Sequence, residues 1–268
     1  MIVVRQALRQ FRYTNLAFWR NPASAFFTFA FPLLFLVIFT SLLGGDEITL
    51  QGTDLEQSKY YVIAMASFGV ISACYTNIAI TTVFSRDTGI LKRLRGTPLP
   101  AGAYLGARVL HSMVVGAILV VITMAFGAVL YDAPIPGGMA ALQFGLTFLV
   151  GSLSFAALAL AFSGIVPNAD AAPPLVNASI LPLLFLSGTF IPLGDGAPGW
   201  MRTIANTFPV KPFSDALFGS AFSDVAMQTP GGTIFPFTFV WSDLAVVAIW
   251  GLAGLVLASR TFSWEPRK

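Results

Sequence analysis

The chain has 268 residues, 56% of them hydrophobic and only 10% charged, with a mean hydropathy of +0.78. A soluble domain is about 45–50% apolar and about 25% charged, so this composition excludes an ordinary soluble protein and describes an integral membrane protein. The one cysteine, Cys74, excludes an internal disulfide and a multi-cysteine metal site, and the net charge of +3 is small enough that its distribution matters more than its size.

Residues 1–22 read as an interfacial helix. In "VVRQALRQFRYTNLAFWRNP", Arg5, Arg9, Arg12 and Arg20 fall on one arc at 100° per residue, and Val4, Leu8, Phe11, Phe18 and Trp19 fall on a neighbouring one. That pattern fits a basic amphipathic helix lying in the membrane interface, with Trp19 at headgroup level. Its polar face is either an anchor only or also a contact for a cytoplasmic partner. Pro22 turns Asn21 away from helix and so makes a hinge into the first span. The basic start resembles a signal peptide, but the apolar run is about 21 residues and no clear A-x-A site follows, so it reads as a retained span.

Six uncharged runs of about 20 residues follow, at 23–43, 60–84, 109–131, 139–166, 174–193 and 240–259. Each can cross about 30 Å of hydrocarbon as a helix, and a barrel would instead show alternating strands of about ten residues. With the N-terminus inside, twelve of the fifteen basic residues face the cytoplasm, which sets an N-in, C-in topology. The first outer loop carries Asp46, Glu47, Asp54 and Glu56, as that orientation expects. The fold class is therefore an all-α membrane protein: an interfacial helix (1–22), a six-span domain (23–259) and a short cytoplasmic tail (260–268).

The most charged run, "SRDTGILKRLRGTPLP" from Ser85 to Pro100, follows the second span. Ser85 suits an N-cap, Asp87 the first turn, and Lys92, Arg93 and Arg95 the last. Gly96 and Pro98 suit a stop. A cytoplasmic helix of about ten residues is expected, with an Ile90, Leu91 and Leu94 patch opposite a basic side. So short a helix is marginal in water and needs a surface: the membrane or a docked protein. A plain basic loop that fixes topology and binds anionic lipid is the simpler reading.

The third span carries the only histidine, His111, read as a packed residue, with Arg108 snorkelling one turn earlier. Asn77, Gln143 and Asn177 are candidates for hydrogen bonds between helices. Asp243, in the first turn of the last span, suits the helix dipole. Gly102 and Gly106 form a G-x-x-x-G suited to close helix approach. Residues 194–239 are too long for a turn. They read as two short amphipathic helices split by Pro209 and Pro212, either re-entrant in the outer leaflet or lying on it. Their apolar residues are Trp200, Ile204, Phe208, Phe213, Leu217, Phe218 and Phe222.

Three of these stretches resemble the ABC-2 type transporter permeases. "SRDTGILKRLRGTPLP" is similar to their cytoplasmic "LKRLR-x-TP" segment, "LFLSGTFIPL" to their fifth-span "SG-x-x-x-P" element, and "APGWMRTIANTFPVKPFSDALFGSAF" to their outer "P-x-W…P…DAL" segment. The chain departs from the pattern at Asp87, where the family usually has Glu, and at Phe218, where Arg is common. The resemblance implies a permease subunit whose segment after the second span is a coupling helix (85–97) seated on a separate ATPase. Carried over, Arg86, Asp87, Gly89, Leu91, Lys92, Arg93, Leu94, Arg95 and Pro98 form the ATPase contact. Gly89 allows close backbone approach there, and Arg93 or Arg95 can pair with carboxylates. Arg5, Arg9, Arg12 and Trp19 belong to the same interface. An outer re-entrant gate is formed by Trp200, Phe208, Pro209, Phe213, Asp215 and Leu217.

The chain has no G-x-x-x-x-G-K-[ST], H-E-x-x-H or G-x-S-x-G, so it is not expected to be an enzyme. No cofactor is expected in this chain; ATP and Mg would sit on the partner ATPase. The expected partners are that ATPase, a second permease and membrane lipid, but no nucleic acid. The reading is an exporter of amphipathic or lipid-like cargo in the cell inner membrane. The alternatives are an ion-coupled secondary transporter, for which buried acids are scarce, and a non-transporting anchor for a cytoplasmic complex.

Overall fold

A computed structural model describes residues 2–45, 47–50, 53–97, 99–192, 197–222 and 239–262. Helix α1 (Ile2–Trp19) ends at a break before α2 (Pro22–Leu43). There the Asn21 side-chain oxygen accepts from the Ser24 N–H at 3.2 Å, and Pro22 fills a first-turn position that needs no donor. Two four-residue strands follow, β1 (Glu47–Leu50) and β2 (Thr53–Glu56), paired antiparallel with Glu47 opposite Glu56. The described residues are otherwise helical, as expected, and this short hairpin is an addition to the all-α fold. "EITL" and "TDLE", rich in β-branched residues and separated by two residues ending in glycine, satisfy the rule for a short hairpin.

The second span is one continuous rod. Helix α3 (Gln57–Ile71) passes through a π-helical turn (Ser72–Thr76) into α4 (Asn77–Asp87). Every residue from 60 to 71 is buried, so this rod is the centre of the molecule. After α4 come α5 (Ile90–Arg95), α6 (Ala101–Tyr131), α7 (Gly138–Ser163), α8 (Ala172–Leu186), α9 (Gly199–Thr207), α10 (Val210–Ala221) and α11 (Trp241–Thr261).

Five elements are long and apolar enough to cross a membrane: α2, the α3–α4 rod, α6, α7 and α11. The run expected to be the fifth span becomes the 15-residue α8, followed by non-helical backbone at Ser187–Ile191. Gly188 at φ +86° enters the left-handed region there, which an apolar count does not register. Its carbonyl accepts from the Tyr60 hydroxyl at 2.5 Å.

The helix ends gather into two groups. At the basic end, α4 meets α7 through Arg86, and the Thr261 hydroxyl of α11 lies 3.2 Å from the Ala161 carbonyl of α7. At the far end, the Thr40 hydroxyl donates to Tyr131 at 2.7 Å, joining α2 to α6. Small residues let α7 touch its neighbours closely. A Cβ on Gly251 would collide with Ser154, one on Gly254 with the backbone at Leu158, and one on Gly151 would enter the Phe213 ring of α10. Gly102 and Gly106 sit at the exposed start of α6 with open space beside them, so they close no contact among the described residues.

Gly151→Leu should therefore overpack the α7–α10 seam and cost about 1–3 kcal/mol. Gly145→Leu, in the same helix but beside open space, should leave the thermal midpoint in detergent unchanged. Equal midpoints for the two variants would contradict this packing.

Candidate functional site

The charged run does not begin with a helix start. Helix α4 continues through Ser85, whose hydroxyl donates back to the Thr81 carbonyl at 2.7 Å instead of capping forward. The expected ten-residue helix is thus corrected to the last turns of α4, a two-residue turn and the six-residue α5. Gly89 makes the turn at φ +73°. Open space surrounds its missing side chain, so the requirement for glycine there is conformational, not steric.

Arg86 and Asp87 hold this corner to the next part of the chain. Arg86 is 2% exposed. Its Nη1 donates to the Ser163 carbonyl at 2.9 Å, and Nη2 donates to the carbonyls of Val166 and Pro167. Ser163 is the last residue of α7, so the cation lies where the helix leaves carbonyls unpaired and where its dipole is negative. The Asp87 carboxylate accepts from the Ala169 N–H at 3.0 Å. The pair therefore clasps the turn between α7 and α8. Nothing in the sequence pointed to Ser163, Val166 and Ala169, because they contribute only backbone groups.

Helix α5 presents what remains. Leu91 is fully buried and Leu94 half-buried, whereas Ile90 is 47% exposed, so the expected three-residue apolar patch is split between two faces. Lys92, Arg93 and Arg95 are exposed. Gly96 and Thr97 close the helix through bonds to the Arg93 and Leu94 carbonyls. Pro98 lies outside the described residues.

Helix α1 reaches the same end. Arg5, Arg9 and Arg12 are exposed, and Arg9 lines a groove of about 270 Å³ with Gln6, Tyr13, Thr97 and Leu99. Trp19 is exposed and stacks on Phe29 of α2 at 5.7 Å. Phe18 is buried and meets the His111 ring edge-on at 5.2 Å.

The far-side pair is asymmetric. Helix α10 is buried almost all round: Phe213 meets Phe155 of α7 at 5.2 Å, Phe218 stacks on Tyr60 at 4.6 Å, and Ser214 and Ser67 hydroxyls are 2.8 Å apart. Leu217 is fully buried, and Asp215 pairs with Lys211 one turn earlier. In α9 only Ala205 is buried; Trp200 is 63% exposed and Ile204 exposed. The single buried face expected across both helices is therefore corrected to a buried α10 and a peripheral α9. Between them, buried Pro209 follows Phe208, which stacks on Trp250 at 5.4 Å. The Trp250 indole donates to the Thr207 carbonyl at 2.7 Å. Trp250 is near the middle of α11, so the α9–α10 turn meets that helix about halfway along its length.

Among the described residues, Asn77, Gln143 and Asn177 show no side-chain hydrogen bond, so none joins two helices as expected. Asn177 points outward and Asn77 borders a cleft. Asp243 is half-buried in the first turn of α11.

The family model for the ABC-2 type transporter matches residues 5–222. The chain belongs to the ABC-2 type transporter family. Members are the membrane permease component of ABC transporters and work with a partner ATPase. This permease is 24% identical over 190 residues to the "Putative transport permease YvfS" of Bacillus subtilis, covering 71% of this chain and 75% of that one. It is 23% identical to the "Daunorubicin resistance ABC transporter permease protein DrrB1" of Streptomyces coeruleorubidus, over 73% of this chain and 68% of that protein. The same identity relates it to the "Probable multidrug ABC transporter permease YbhR" of Escherichia coli, over 61% of this chain and 45% of that one.

Arg86→Ala should leave the α7 carbonyls unpaired and cost on the order of 3 kcal/mol. It should also raise hydrogen exchange across residues 164–171. Arg86→Lys should recover part of the loss, and the exposed Arg93→Gln should change stability by no more than about 0.5 kcal/mol. Unchanged exchange in Arg86→Ala would remove the clasp from the account.

Proposed function

We propose that this permease is the membrane subunit of an ATP-driven exporter for amphipathic or lipid-like cargo, powered by a separate ATPase seated on α5. The observation that carries the reading is the split character of that corner. Lys92, Arg93 and Arg95 of α5 face outward, while Leu91 is buried and Arg86 and Asp87 lock the adjoining turn to α7 and α8. A push on the exposed basic face is thus delivered to three helices at once. Arg86 and Asp87 act as positioning residues behind the contact, which is made by Lys92, Arg93, Arg95 and the polar face of α1.

In this reading the basic end is cytoplasmic, the chain is N-in and C-in, and α8 with the backbone after it serves as the sixth crossing. The membrane is the cell inner membrane. The apolar spans, poor in buried acids, suit amphipathic cargo and give an ion-driven cycle little to work with. The α9–α10 pair is re-entrant from the outer side, supported by the Phe208–Pro209 turn meeting α11 about halfway along its length, and closes the outer end of a route shared by two permeases. ATP and Mg are bound by the ATPase and not by this chain.

Detergent pull-down of the tagged permease from its native host should recover a P-loop ATPase at equal stoichiometry. Arg93→Glu should cut that recovery by at least about tenfold, the factor that 1.4 kcal/mol represents. Transport by the permease alone in liposomes under a proton or sodium gradient would establish the ion-coupled alternative instead. Persistent export by an Arg93→Glu permease that no longer recovers ATPase would refute the coupling role.

A further inference from the structure

At the basic end, a cleft of about 400 Å³ opens between the α1–α2 break, the α3–α4 rod and α6. Eleven of its seventeen described lining residues carry polar side chains and the other six are apolar, so the cleft sets polar groups beside an apolar wall. Asn21, Ser24 and Thr81 lie exposed at its rim, and His111 and Ser112 lie buried at its floor. It extends inward as far as the π-helical turn, through Ser72 and Thr76. Backbone irregularities of this kind recur at functional sites.

Two independent features point to a ligand. The first is Arg108 on the cleft wall. Its Nη1 donates to the hydroxyls of Thr81 at 3.1 Å and Thr82 at 3.0 Å, its Nη2 donates to Ser85 at 2.8 Å, and its guanidinium carbon lies 5.2 Å from the centre of the Tyr104 ring. These partners fix the direction of the cation but carry no formal charge, and no Asp or Glu lines the cleft among the described residues. The second is His111, 8% exposed and one turn further along α6, whose Nδ1 has no hydrogen-bond partner. A buried polar group left unsatisfied is costly, and a cation without a counter-charge adds to that cost.

We propose that this cleft binds the oxyanion headgroup, phosphate or carboxylate, of an amphipath taken from the leaflet on the basic side. Arg108 neutralises the headgroup, and the surrounding hydroxyl and amide groups take its remaining hydrogen bonds. Phe18, Ile78, Ile80 and Val115 supply the apolar part of the wall, which matches the first carbons of a tail and offers nothing to a soluble anion. The inference rests on the exporter reading and names its cargo class. It is tested on the permease alone, so it can fail while ATPase recovery succeeds, and the reverse.

The probe is a short-chain fluorescent phosphatidic acid titrated onto the full chain in zwitterionic detergent. Phosphatidylcholine of the same chain length and inorganic phosphate serve as comparisons. Phosphatidic acid should bind at least about tenfold tighter than phosphatidylcholine, and inorganic phosphate should not displace it. Arg108→Gln should abolish the preference. Ser24→Trp, which fills the cleft from its exposed rim, should abolish it with Arg108 intact, and decides the matter if Arg108→Gln does not fold. Arg260→Gln, an exposed cation at the same end of α11, should retain it. Three results would each overturn the proposal: an unchanged preference in Ser24→Trp, an equal loss in Arg260→Gln, or displacement by inorganic phosphate.

Discussion

A guanidinium buried among transmembrane helices persists only where fixed acceptors replace its water. Arg86 finds them in the carbonyl of Ser163, which α7 cannot satisfy within itself, and in those of Val166 and Pro167 in the turn that follows. The arrangement solves two problems together. The end of α7 gains donors, and the charge lies at the negative end of that helix's dipole. Because Arg86 is in α4, the central rod and α7 are then held in one register. That register places Gly151 opposite Phe213, which lets α10 lie against α7 with its ring in the space a side chain would take. The burial of α10 on the far side thus depends on alignment set at the basic side.

The same clasp explains how a six-residue helix holds a shape. A helix of that length has no independent stability in water. Helix α5 is instead defined at both ends by its neighbours: Gly89 reverses the chain, Asp87 fixes the preceding turn to Ala169, and Leu91 is buried beneath it. Lys92 and Arg93, by contrast, are exposed on its surface. That division leaves Lys92 and Arg93 available to a partner at small cost to the fold, whereas the two preceding charges are committed to it.

Apolar run length made five crossings legible in the sequence, and the arcs of α1 made its amphipathic character legible, because both depend on one residue type repeated over many positions. The fifth run reads as one unbroken helix because the count of uncharged residues is blind to backbone. Ser187–Gly188 interrupts it, and the Ser-Gly pair was the available signal. Ser85 misled differently. A serine hydroxyl can cap forward or bond back to the carbonyl four residues earlier, and only the helix continuing through it decides which. Arg86 enters the ATPase contact through the family resemblance, while its acceptors here are carbonyls that leave no trace in composition. The π-helical turn also has no sequence mark.

That turn separates two environments. Ser72 and Thr76 face the polar cleft, whereas Tyr75 faces an apolar cavity of about 260 Å³ bounded by α7, α8, α11 and the Phe208–Pro209 turn. The Tyr75 hydroxyl is 2.8 Å from the Ser179 hydroxyl of α8, which lines the same apolar cavity, so this bond ties the rod to α8 on that side. A π-helical turn holds an extra residue per turn, and relaxing it toward regular helix rotates everything beyond it. In the proposed cycle, α5 and α4 lie beyond it on the driven side. A movement imposed at α5 would then reach the cleft and the apolar cavity through the same five residues. The polar and apolar halves of an amphipath's path would change together, without a separate gate for each.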